Sequence, residues 1–585
     1  MKTEYSEKYN FWCNSEIFDE ETRNELKSLT DEKEIEDRFY KDLSFGTGGL
    51  RGVIGAGTNR MNIYTVTKAT QGLANYILKN NGAEKGVAIA YDSRHMSIEF
   101  SEAAALCLNA NGIKTYRFDS LRPTPELSFA LRELGCSAGI VITASHNPPE
   151  YNGYKVYGED GSQITDNAAN EIIGEINQIT DLSVIKKISR EEAEEKGLYH
   201  TIGKEIDDRY MEELKKLVLS PDSIKNMASE FTIVYTPFNG TGNIPVRRVL
   251  KELGFTKVYV VPEQEMPDGD FPTLEYPNPE DPKAFTLALA LAKKVDADII
   301  LATDPDADRL GVYAKDSKTG EYVSFTGNMS GLLIAEYELS RKEELGLLPE
   351  NRKEGALVKT IVSSSMANAI VKAYGITLIE VLTGFKYIGE QIKFFEERKA
   401  KGEPGAYEYL FGYEESYGCL VGTHSRDKDA CVAVMALCEA AAYYKEKGLT
   451  LWDQMLKIYE KYGYYREDLV TMTMKGADGA AKIQGIISEM RNHPIKNIGN
   501  FKVVAKRDYK ENKRVDYVTG EESETGLPIS NVMYFELENE GWCCVRPSGT
   551  EPKIKFYVGV KGDSLEDSNQ KMEELKEALL KLVEA

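Results

Sequence analysis

The sequence lacks the cysteine spacing of a zinc site and the basic excess of a nucleic-acid-binding protein. Its 8 cysteines in 585 residues form no CxxC pair, so we expect unpaired thiols in a reducing compartment. The 72 Lys and Arg residues against 94 Asp and Glu residues give a formal net charge of −22. This balance argues against non-specific binding to nucleic acid or to an anionic membrane. If the substrate is also anionic, the positive charge that holds it must be concentrated in one place.

Long apolar runs are absent as well. The longest run, residues 430–438, ends at Glu439 and is far shorter than the ~20 residues that span a bilayer. The sequence opens with Met1-Lys2-Thr3-Glu4 and soon becomes acidic, without the apolar stretch of a signal peptide. We therefore expect a cytoplasmic protein that binds neither membranes nor nucleic acid.

The length is sufficient for several domains, about three to five at typical domain sizes. Apolar residues make up 42% of the chain, which is enough for full cores. Residues 1–40 are polar with scattered aromatic side chains and are interpreted as an N-terminal helical extension. Boundaries near residues 220, 326 and 462 divide the remainder into four domains, 41–220, 221–325, 326–462 and 463–585.

A unit of three parts recurs along the first three of these domains. It consists of a short β-branched run, a polar motif and a helical stretch, and the runs lie at 86–90, 139–142, 231–235, 297–302, 356–361 and 409–411. This alternation predicts parallel α/β layers, in which ligands bind beyond the carboxyl ends of the strands. Because every polar motif follows such an end, we expect the motifs to meet in one cleft.

Other segments complete the outline of the fold. Helices are expected at 97–110, 283–293, 427–445 and 565–583. The last domain is interpreted as α+β, with strands around 468–474, 501–506, 532–537 and 554–560. Residues 266–282 contain five prolines and predict a long functional loop. The first strand-end motif, Tyr91-Asp92-Ser93-Arg94, receives no specific role.

Three aspartates follow the strand at 297–302. Asp304, Asp306 and Asp308 place three carboxylates within five residues, an arrangement that is costly unless a cation joins them. Oxygen ligands suit magnesium or calcium. An EF-hand is excluded because its sixth and twelfth loop positions would be Arg309 and Lys315. The alternative to a metal site is a solvated acidic turn.

A serine lies at the end of another strand. Ser145 is not in a GxSxG elbow, because Thr143 and Asn147 occupy the glycine positions. The segment could be a simple turn before Pro148. A strand-end hydroxyl combined with a carboxylate metal site is, however, suited to phosphoryl transfer, in which the metal neutralises charge on the moving group.

Two further loops have the composition of anion sites. The loop Arg546-Pro547-Ser548-Gly549-Thr550-Glu551-Pro552 offers a guanidinium, two hydroxyls and backbone N–H groups to a phosphate, or is a plain surface turn. The loop Gly46-Thr47-Gly48-Gly49-Leu50-Arg51-Gly52 is either an anion cradle or a flexible turn. It is no Walker A loop, because no Gly-Lys-Ser/Thr follows.

Four of these motifs, in this order, resemble those of the α-D-phosphohexomutase superfamily and, within it, the phosphoglucomutase branch. They are the serine loop Thr143–Pro148, the Asp-x-Asp-x-Asp-Arg metal loop, a sugar loop at Glu414-Glu415-Ser416 and the phosphate loop 546–552. The resemblance extends over about residues 40–585. The sugar loop departs from the family pattern at Tyr413 and Tyr417, and Lys553 or Lys555 replaces an arginine that often follows the phosphate loop.

The resemblance implies a heart-shaped α/β protein of four domains around a central cleft. Three similar α/β domains would be followed by a C-terminal α+β domain, and each domain would supply one motif. The bound sugar phosphate would have to turn round in this cleft. One site for the phosphate and one site for the sugar hydroxyls would therefore have to accept the molecule in either orientation.

The resemblance also implies roles for individual residues. Ser145 would hold the phosphoryl group, and the magnesium ligands would be a phosphoserine oxygen with Asp304, Asp306 and Asp308. Lys155 resembles the acid/base lysine, and Arg51 and His146 match further active-site positions. The residues that match substrate-binding positions are Arg309, Thr383, Gly384, Lys386, Glu414, Ser416, Arg546, Ser548, Gly549 and Thr550.

The implied activity is the interconversion of glucose 1-phosphate and glucose 6-phosphate. It would proceed through a phosphoserine and glucose 1,6-bisphosphate, with one magnesium ion per chain and sugar phosphates as the partners. Phosphomannomutase, phosphopentomutase and bisphosphate synthase are the alternatives on the same scaffold. A silent sugar-phosphate sensor and a magnesium-dependent phosphatase are rivals of other classes. We expect a monomer, with an oligomer left open.

Overall fold

A computed structural model of the protein describes residues 4–46, 48–474, 477–547 and 553–584. They form two compact units. The first contains residues 1–327, 385–406 and 417–450, and the second contains residues 328–384, 407–416 and 451–585. Within the described ranges, no helix combines the length and apolarity that crossing a bilayer requires.

Residues 4–39 contain three helices, in agreement with the predicted helical extension. The helices are α1 (Glu4–Asn14), α2 (Glu20–Lys27) and α3 (Glu32–Phe39). The carboxylates of Asp19 and Asp31 accept backbone N–H bonds at the starts of α2 and α3. A small aromatic core joins the helices. In it the ring of Trp12 stacks on that of Phe18, with 4.1 Å between the ring centroids.

The next part of the first unit is a six-stranded sheet. Its strands are β1 (Gly49–Val53), β2 (Val87–Tyr91), β3 (Thr115–Phe118), β4 (Ala138–Ile142), β5 (Tyr151–Gly158) and β6 (Tyr199–Ile202), in the order β1-β5-β4-β2-β3-β6. The helices of this region are α4 (Ile63–Lys79), α5 (Ser97–Ala110), α6 (Thr124–Glu133), α7 (Asp166–Asn177), α8 (Arg190–Glu195), α9 (Lys204–Lys215) and α10 (Pro221–Met227). The central strands β2 and β4 are fully buried, which is why they read as continuous apolar runs.

A five-stranded sheet follows in the same unit. Its strands are β7 (Thr232–Thr236), β8 (Lys257–Val260), β9 (Ile299–Thr303), β10 (Leu310–Lys315) and β11 (Tyr322–Phe325), in the order β11-β10-β9-β7-β8. The helices are α11 (Asn243–Glu252), α12 (Pro262–Glu265) and α13 (Thr286–Val295). The five-proline segment is a loop up to Asp281, close to the predicted bounds, and a short 3-10 helix (Pro282–Phe285) follows it.

The predicted parallel pairing holds for β2 with β3 and β4 and for β7 with β8 and β9, but not at two places that matter for function. Strand β5 runs antiparallel to β4, and β10 runs antiparallel to β9. Only residues 143–150 separate β4 from β5, and only residues 304–309 separate β9 from β10. A parallel crossover needs a dozen or more residues, so the chain must turn straight back at each of these two connections.

The region from residue 327 to 462 contributes to both units. Its helices are α14 (Gly327–Glu344), α15 (Met366–Tyr374), α16 (Phe385–Lys401), α17 (Ala430–Glu446) and α18 (Leu451–Tyr462), and its strands are β12 (Gly355–Thr360), β13 (Thr377–Val381), β14 (Glu408–Glu414) and β15 (Gly418–Leu420). In the second unit, β12 pairs in parallel with both β13 and β14. The helix predicted from residue 427 begins at Ala430, because the carboxylate of Asp429 caps it.

The last part of the second unit is an antiparallel sheet with helices. The strands are β16 (Tyr464–Thr473), β17 (Asn497–Ile498), β18 (Phe501–Asp508), β19 (Lys513–Asp516), β20 (Glu522–Ser523), β21 (Met533–Leu537), β22 (Trp542–Pro547) and β23 (Lys553–Gly562), and the helices are α19 (Ala477–Asn492) and α20 (Leu565–Glu584). This composition agrees with the predicted α+β character.

We predict that Gly153→Ala destabilises the first unit. A β-carbon at this position of β5 would lie 2.4 Å from the carbonyl oxygen of Thr143 and 3.0 Å from that of Leu50. Because both neighbours are backbone atoms, the strands must move apart, at a cost of about 1–3 kcal/mol. Thermal unfolding should therefore shift to lower temperature.

The matched control is Gly174→Ala, in the middle of α7. This glycine has open space around its Cα, so alanine should leave the melting temperature unchanged or raise it slightly. Equal melting temperatures for Gly153→Ala and the parent chain would contradict the close strand packing.

Candidate active site

The serine loop begins at the carboxyl end of β4. The side chain of Ser145 is buried, and its backbone is left-handed with φ +52°, a conformation that is rare for residues other than glycine. The N–H of Ser145 donates to Thr143 Oγ1 at 2.8 Å. Arg94 Nη2 donates to the Ser145 carbonyl oxygen at 2.6 Å. The surroundings therefore fix the strained backbone from both sides.

The three aspartates lie in the turn between β9 and β10. All three side chains are buried, and one carboxylate oxygen from each lies within 4.8 Å of the others. The hydroxyl of Ser145 donates to Asp304 Oδ2 at 2.9 Å. The structure thus brings together the hydroxyl and the carboxylates that the strand-end argument placed in one cleft.

Two lysines supply positive charge next to these carboxylates. Lys155 Nζ, on β5, lies 2.8 Å from Asp306 Oδ2 and 3.9 Å from Asp308 Oδ2. Lys428 Nζ lies 3.1 Å from the same oxygen of Asp308. Both lysines are largely buried, so water screens these contacts less than it would at the surface. The two lysines therefore offset part of the negative charge of the three aspartates.

The charges change the pKa values of the carboxyl groups in opposite directions. Burial, together with the negative charges of Asp308 and Asp306, raises the pKa of Asp304 well above its usual range. Burial also favours the neutral form of Asp306, but Lys155 outweighs it and holds the pKa of Asp306 below the usual value. Without a bound cation, the surroundings therefore favour the protonated form of Asp304 and the charged form of Asp306.

The donor set fits a hard cation. Asp306 Oδ1 and Asp308 Oδ1 are buried and have no hydrogen-bond donor within the described part of the chain. A buried carboxylate oxygen without a partner is costly, and a cation bound between these atoms would remove that cost. The residues present therefore suit a metal site, in agreement with the sequence analysis.

The predicted accessory residues lie near the serine loop or the metal loop. Arg51 Nη1, on β1, donates to Asn147 Oδ1 at 3.2 Å. His146 Nδ1 lies 3.2 Å from Ser145 Oγ, so this histidine faces the hydroxyl. Burial and the nearby charges of Arg309 and Arg51 lower the pKa of His146 well below its usual value, which favours the neutral ring.

The remaining predicted substrate residue of the first unit has a different neighbour. Lys386, the second residue of α16, donates to Asp166 Oδ1 at 3.0 Å. This bond joins α16 to the start of α7. Its role at the site stays a prediction.

The second unit carries the other predicted substrate residues. Glu414 is buried at the end of β14, and Ser416 follows two residues later. Thr383 and Gly384 lie just before α16. Arg546 lies on β22 opposite Lys555 of β23, so a lysine faces the arginine at the base of the predicted phosphate loop. Ser548, Gly549 and Thr550 lie outside the described residues.

Three residues at the first-unit site were not predicted. Thr124, at the start of α6, donates its hydroxyl to Asp306 Oδ2 at 2.9 Å and its N–H to the Asp306 carbonyl oxygen at 3.0 Å. Lys428 had been placed within a helix. Arg94 stood in a strand-end motif without a role. Two features of the sequence could have indicated these residues. Arg94 lies in a motif at a strand end, and Thr124 lies between two prolines.

Comparison with known proteins gives the family. Models of the phosphoglucomutase/phosphomannomutase α/β/α domains I, II and III match residues 42–183, 208–319 and 326–462, and the model of the C-terminal domain matches residues 500–577. A phosphoglucomutase of Staphylococcus epidermidis is 36% identical over 559 residues, which cover 95% of this chain and 98% of the relative. A phosphoglucomutase of Staphylococcus aureus is 35% identical over 545 residues, 92% of this chain and 94% of the relative.

Solved structures show the same fold at lower identity. A phosphoglucomutase/phosphomannomutase family protein of Burkholderia thailandensis has a TM-score of 0.61 at 19% identity, covering 92% of this chain and 97% of that one. The open form of pp63/parafusin, a phosphoglucomutase of Paramecium, has a TM-score of 0.65 at 18% identity, covering 92% and 95%. The chain therefore belongs to the phosphoglucomutase/phosphomannomutase family of the α-D-phosphohexomutase superfamily, which confirms the membership and the isomerase class that its motifs predicted.

Proposed function

We propose that the chain is a phosphoglucomutase that interconverts α-D-glucose 1-phosphate and glucose 6-phosphate. The observation that carries this proposal is the 2.9 Å contact between the Ser145 hydroxyl and Asp304 in a buried three-carboxylate cluster. This arrangement places a phosphorylatable oxygen beside a cation site, as phosphoryl transfer requires. The phosphoglucomutases that match nearly the whole chain support the same choice of substrate.

Two transfers make up the proposed reaction. In the first, the bond between phosphorus and Ser145 Oγ breaks as a bond forms to the free hydroxyl of the sugar monophosphate. The hydroxyl proton ends on the released serine oxygen, and glucose 1,6-bisphosphate is formed. The bisphosphate turns round, and its other phosphoryl group moves to Ser145 Oγ while the sugar oxygen recovers a proton.

The chain supplies groups for the proton movements. We assign the acid/base role to Lys155, whose ammonium lies within the carboxylate cluster that the serine touches. The neutral ring of His146, with Nδ1 at 3.2 Å from Ser145 Oγ, is placed to accept a hydrogen bond from the released hydroxyl. A general acid or base such as Lys155 typically raises the reaction rate about 10²–10⁴-fold.

We also propose that magnesium is the cation, one ion per chain. Asp304, Asp306, Asp308 and a phosphoserine oxygen would hold it. When bound, magnesium would neutralise charge on the moving phosphoryl group. The oxygen-only donor set and the two carboxylate oxygens that accept no hydrogen bond from the described residues support this assignment.

The substrate contacts are assigned from the motifs of both units. We propose that Glu414 and Ser416 bind two adjacent sugar hydroxyls, and that Arg546 with Ser548–Thr550 binds the phosphate that is not reacting. Arg309, Lys386 and the Thr383–Gly384 turn would complete the substrate site. We further propose a monomer that works in the cytoplasm on small sugar phosphates.

Replacing the nucleophile tests the covalent route. Ser145→Ala should lower mutase turnover on the order of 10⁴-fold or more, because no other oxygen takes the place of the nucleophile. It should also abolish labelling of the protein by glucose 1,6-bisphosphate carrying radioactive phosphate. Ser137→Ala, just before the opposite end of the same strand, is the control and should keep both activities. Substantial turnover by Ser145→Ala would rule out the phosphoserine mechanism.

Magnesium binding tests the carboxylate cluster. Asp306→Asn removes one negative charge, so calorimetric titration of the chelator-treated protein should show magnesium affinity at least about 10-fold weaker. Asp222→Asn, at an exposed position on α10, is the charge-matched control and should bind as the parent does. Equal affinities for the two variants would show that the three aspartates are not the metal site.

The assignment of Glu414 predicts an order of substrates. A carboxylate and a serine hydroxyl can pair with the adjacent equatorial 3- and 4-hydroxyls of a hexose. Glucose 1-phosphate should have the highest kcat/KM, mannose 1-phosphate a lower one, and galactose 1-phosphate and ribose 1-phosphate the lowest. Assays of all four at saturating magnesium and bisphosphate measure this order.

The same assays test whether Glu414 binds the sugar hydroxyls. Glu414→Gln should lower kcat/KM for glucose 1-phosphate about 10–100-fold, the value of a hydrogen bond to a charged group. Glu408→Gln, exposed at the start of the same strand, should leave it unchanged. If ribose 1-phosphate were the best substrate, phosphopentomutase would replace phosphoglucomutase as the function.

A further inference from the structure

The five-proline loop 266–282 contacts the turn that holds Arg94 and the metal loop. Its first half packs against the turn that holds Arg94, and its second half packs against the metal loop and β10. We propose that this loop seats two guanidinium groups, those of Arg94 and Arg309, and that Arg94 is a positioning residue that sets the orientation of Ser145. The expected effects on rate rest on the proposed function, whereas the contacts do not.

Arg94 holds the serine loop through backbone oxygens alone. Its guanidinium donates to the carbonyl oxygens of Pro148 at 2.8 Å and Tyr151 at 3.0 Å, and also to those of Ser145 and Asn147. The side chain is fully buried. A planar group with five donors can bind four oxygens in this way, whereas an ammonium has three donors on one atom. Arg94 therefore fixes the backbone from Ser145 to Tyr151 from a position that solvent does not reach.

The first half of the loop holds Arg94 in place. The ring of Phe271 lies under the guanidinium, with 5.1 Å between the ring centroid and Arg94 Cζ. Gly269 allows close approach, because a β-carbon there would lie 2.8 Å from the His95 nitrogen and 3.1 Å from the Ser93 carbonyl oxygen. The His95 ring also contacts Asp270, with Nε2 and Oδ1 2.6 Å apart. Three consecutive positions of the loop thus line the turn.

The second half of the loop meets the metal loop. Glu280 Oε1 accepts a hydrogen bond from Arg309 Nη1 at 2.7 Å. Gly311, on β10, packs against Pro279, since a β-carbon at position 311 would lie 2.8 Å from the Pro279 carbonyl oxygen. One proline-stiffened segment therefore touches the supports of both the phosphorylated residue and its metal ligands.

The test uses Arg94→Lys, which keeps the charge but cannot reproduce the four carbonyl contacts. Misplacement of a reacting group by about 1 Å can cost 10²-fold in rate, so we expect kcat to fall about 10–100-fold. KM for glucose 1-phosphate should stay within about 2-fold, because the fully buried Arg94 side chain has no surface for a substrate to contact. Arg117→Lys is the control. Arg117 is also buried and stacks on a tyrosine ring, but it donates to Ser101 Oγ and the Ile98 carbonyl oxygen on α5.

Hydrogen exchange provides a readout that does not depend on mutase activity. Peptides that cover residues 144–152 should exchange faster in Arg94→Lys and at the parent rate in Arg117→Lys. If the chain had no mutase activity but this difference in exchange were present, the proposed function would be wrong. The positioning role of Arg94 would still be supported.

Phe271→Leu tests the loop itself and leaves every residue of the serine turn intact. It should also raise exchange at residues 144–152 and lower kcat with KM unchanged, though less than Arg94→Lys does. Parent-like exchange and kcat in both Arg94→Lys and Phe271→Leu would overturn the inference. So would a loss of kcat in Arg117→Lys equal to that in Arg94→Lys, because it would mark a general effect of a buried arginine.

Discussion

Repulsion among three buried carboxylates is the constraint on which the site depends. Asp304, Asp306 and Asp308 cannot all be charged in a dry interior without partners. The chain brings Lys155 from β5 and Lys428 from the segment before α17 to the same point, and Thr124 donates from the start of α6. Segments far apart in sequence are thereby tied to one turn. Asp306 Oδ1 and Asp308 Oδ1, which accept no hydrogen bond from the described residues, are the oxygens that a cation can use.

The two reactive turns share a construction that their sequences do not show. Each follows a fully buried strand and leads directly into an antiparallel partner, from β4 to β5 and from β9 to β10. Both ends of each turn are therefore held by strand pairing, and both turns contain a left-handed residue that is not glycine, Ser145 and Ala307. Such strain persists only where the surroundings over-determine it. Paired strands on either side provide that support and also bring Lys155 back toward the serine.

The sequence was sufficient for the strand-end motifs and for the cluster of three aspartates. Ser145 and Asp304 could be expected to meet, because each follows the carboxyl end of a buried strand and ligands bind beyond such ends. That β4 and β9 belong to two different sheets was not predicted. The directions of β5 and β10 were not predicted, since alternation of strands and helices does not report a strand that turns straight back. Lys428 was missed because its position depends on Asp429 ending the extended segment and capping α17. Arg94 acts through backbone oxygens, and no pattern of side chains reveals such partners.

The interleaving of the two units has a consequence for synthesis on the ribosome. The first unit includes residues 417–450, although residues 328–384 already belong to the second. Helix α17 is buried along nearly its whole length, and Glu439 on it accepts the N–H groups of Leu219 and Ser220. Until about residue 450 has emerged, the earlier part of this unit lacks that cover and presents apolar surface to the solvent. During this interval of synthesis, the exposed apolar surface of the first unit is a binding site for chaperones.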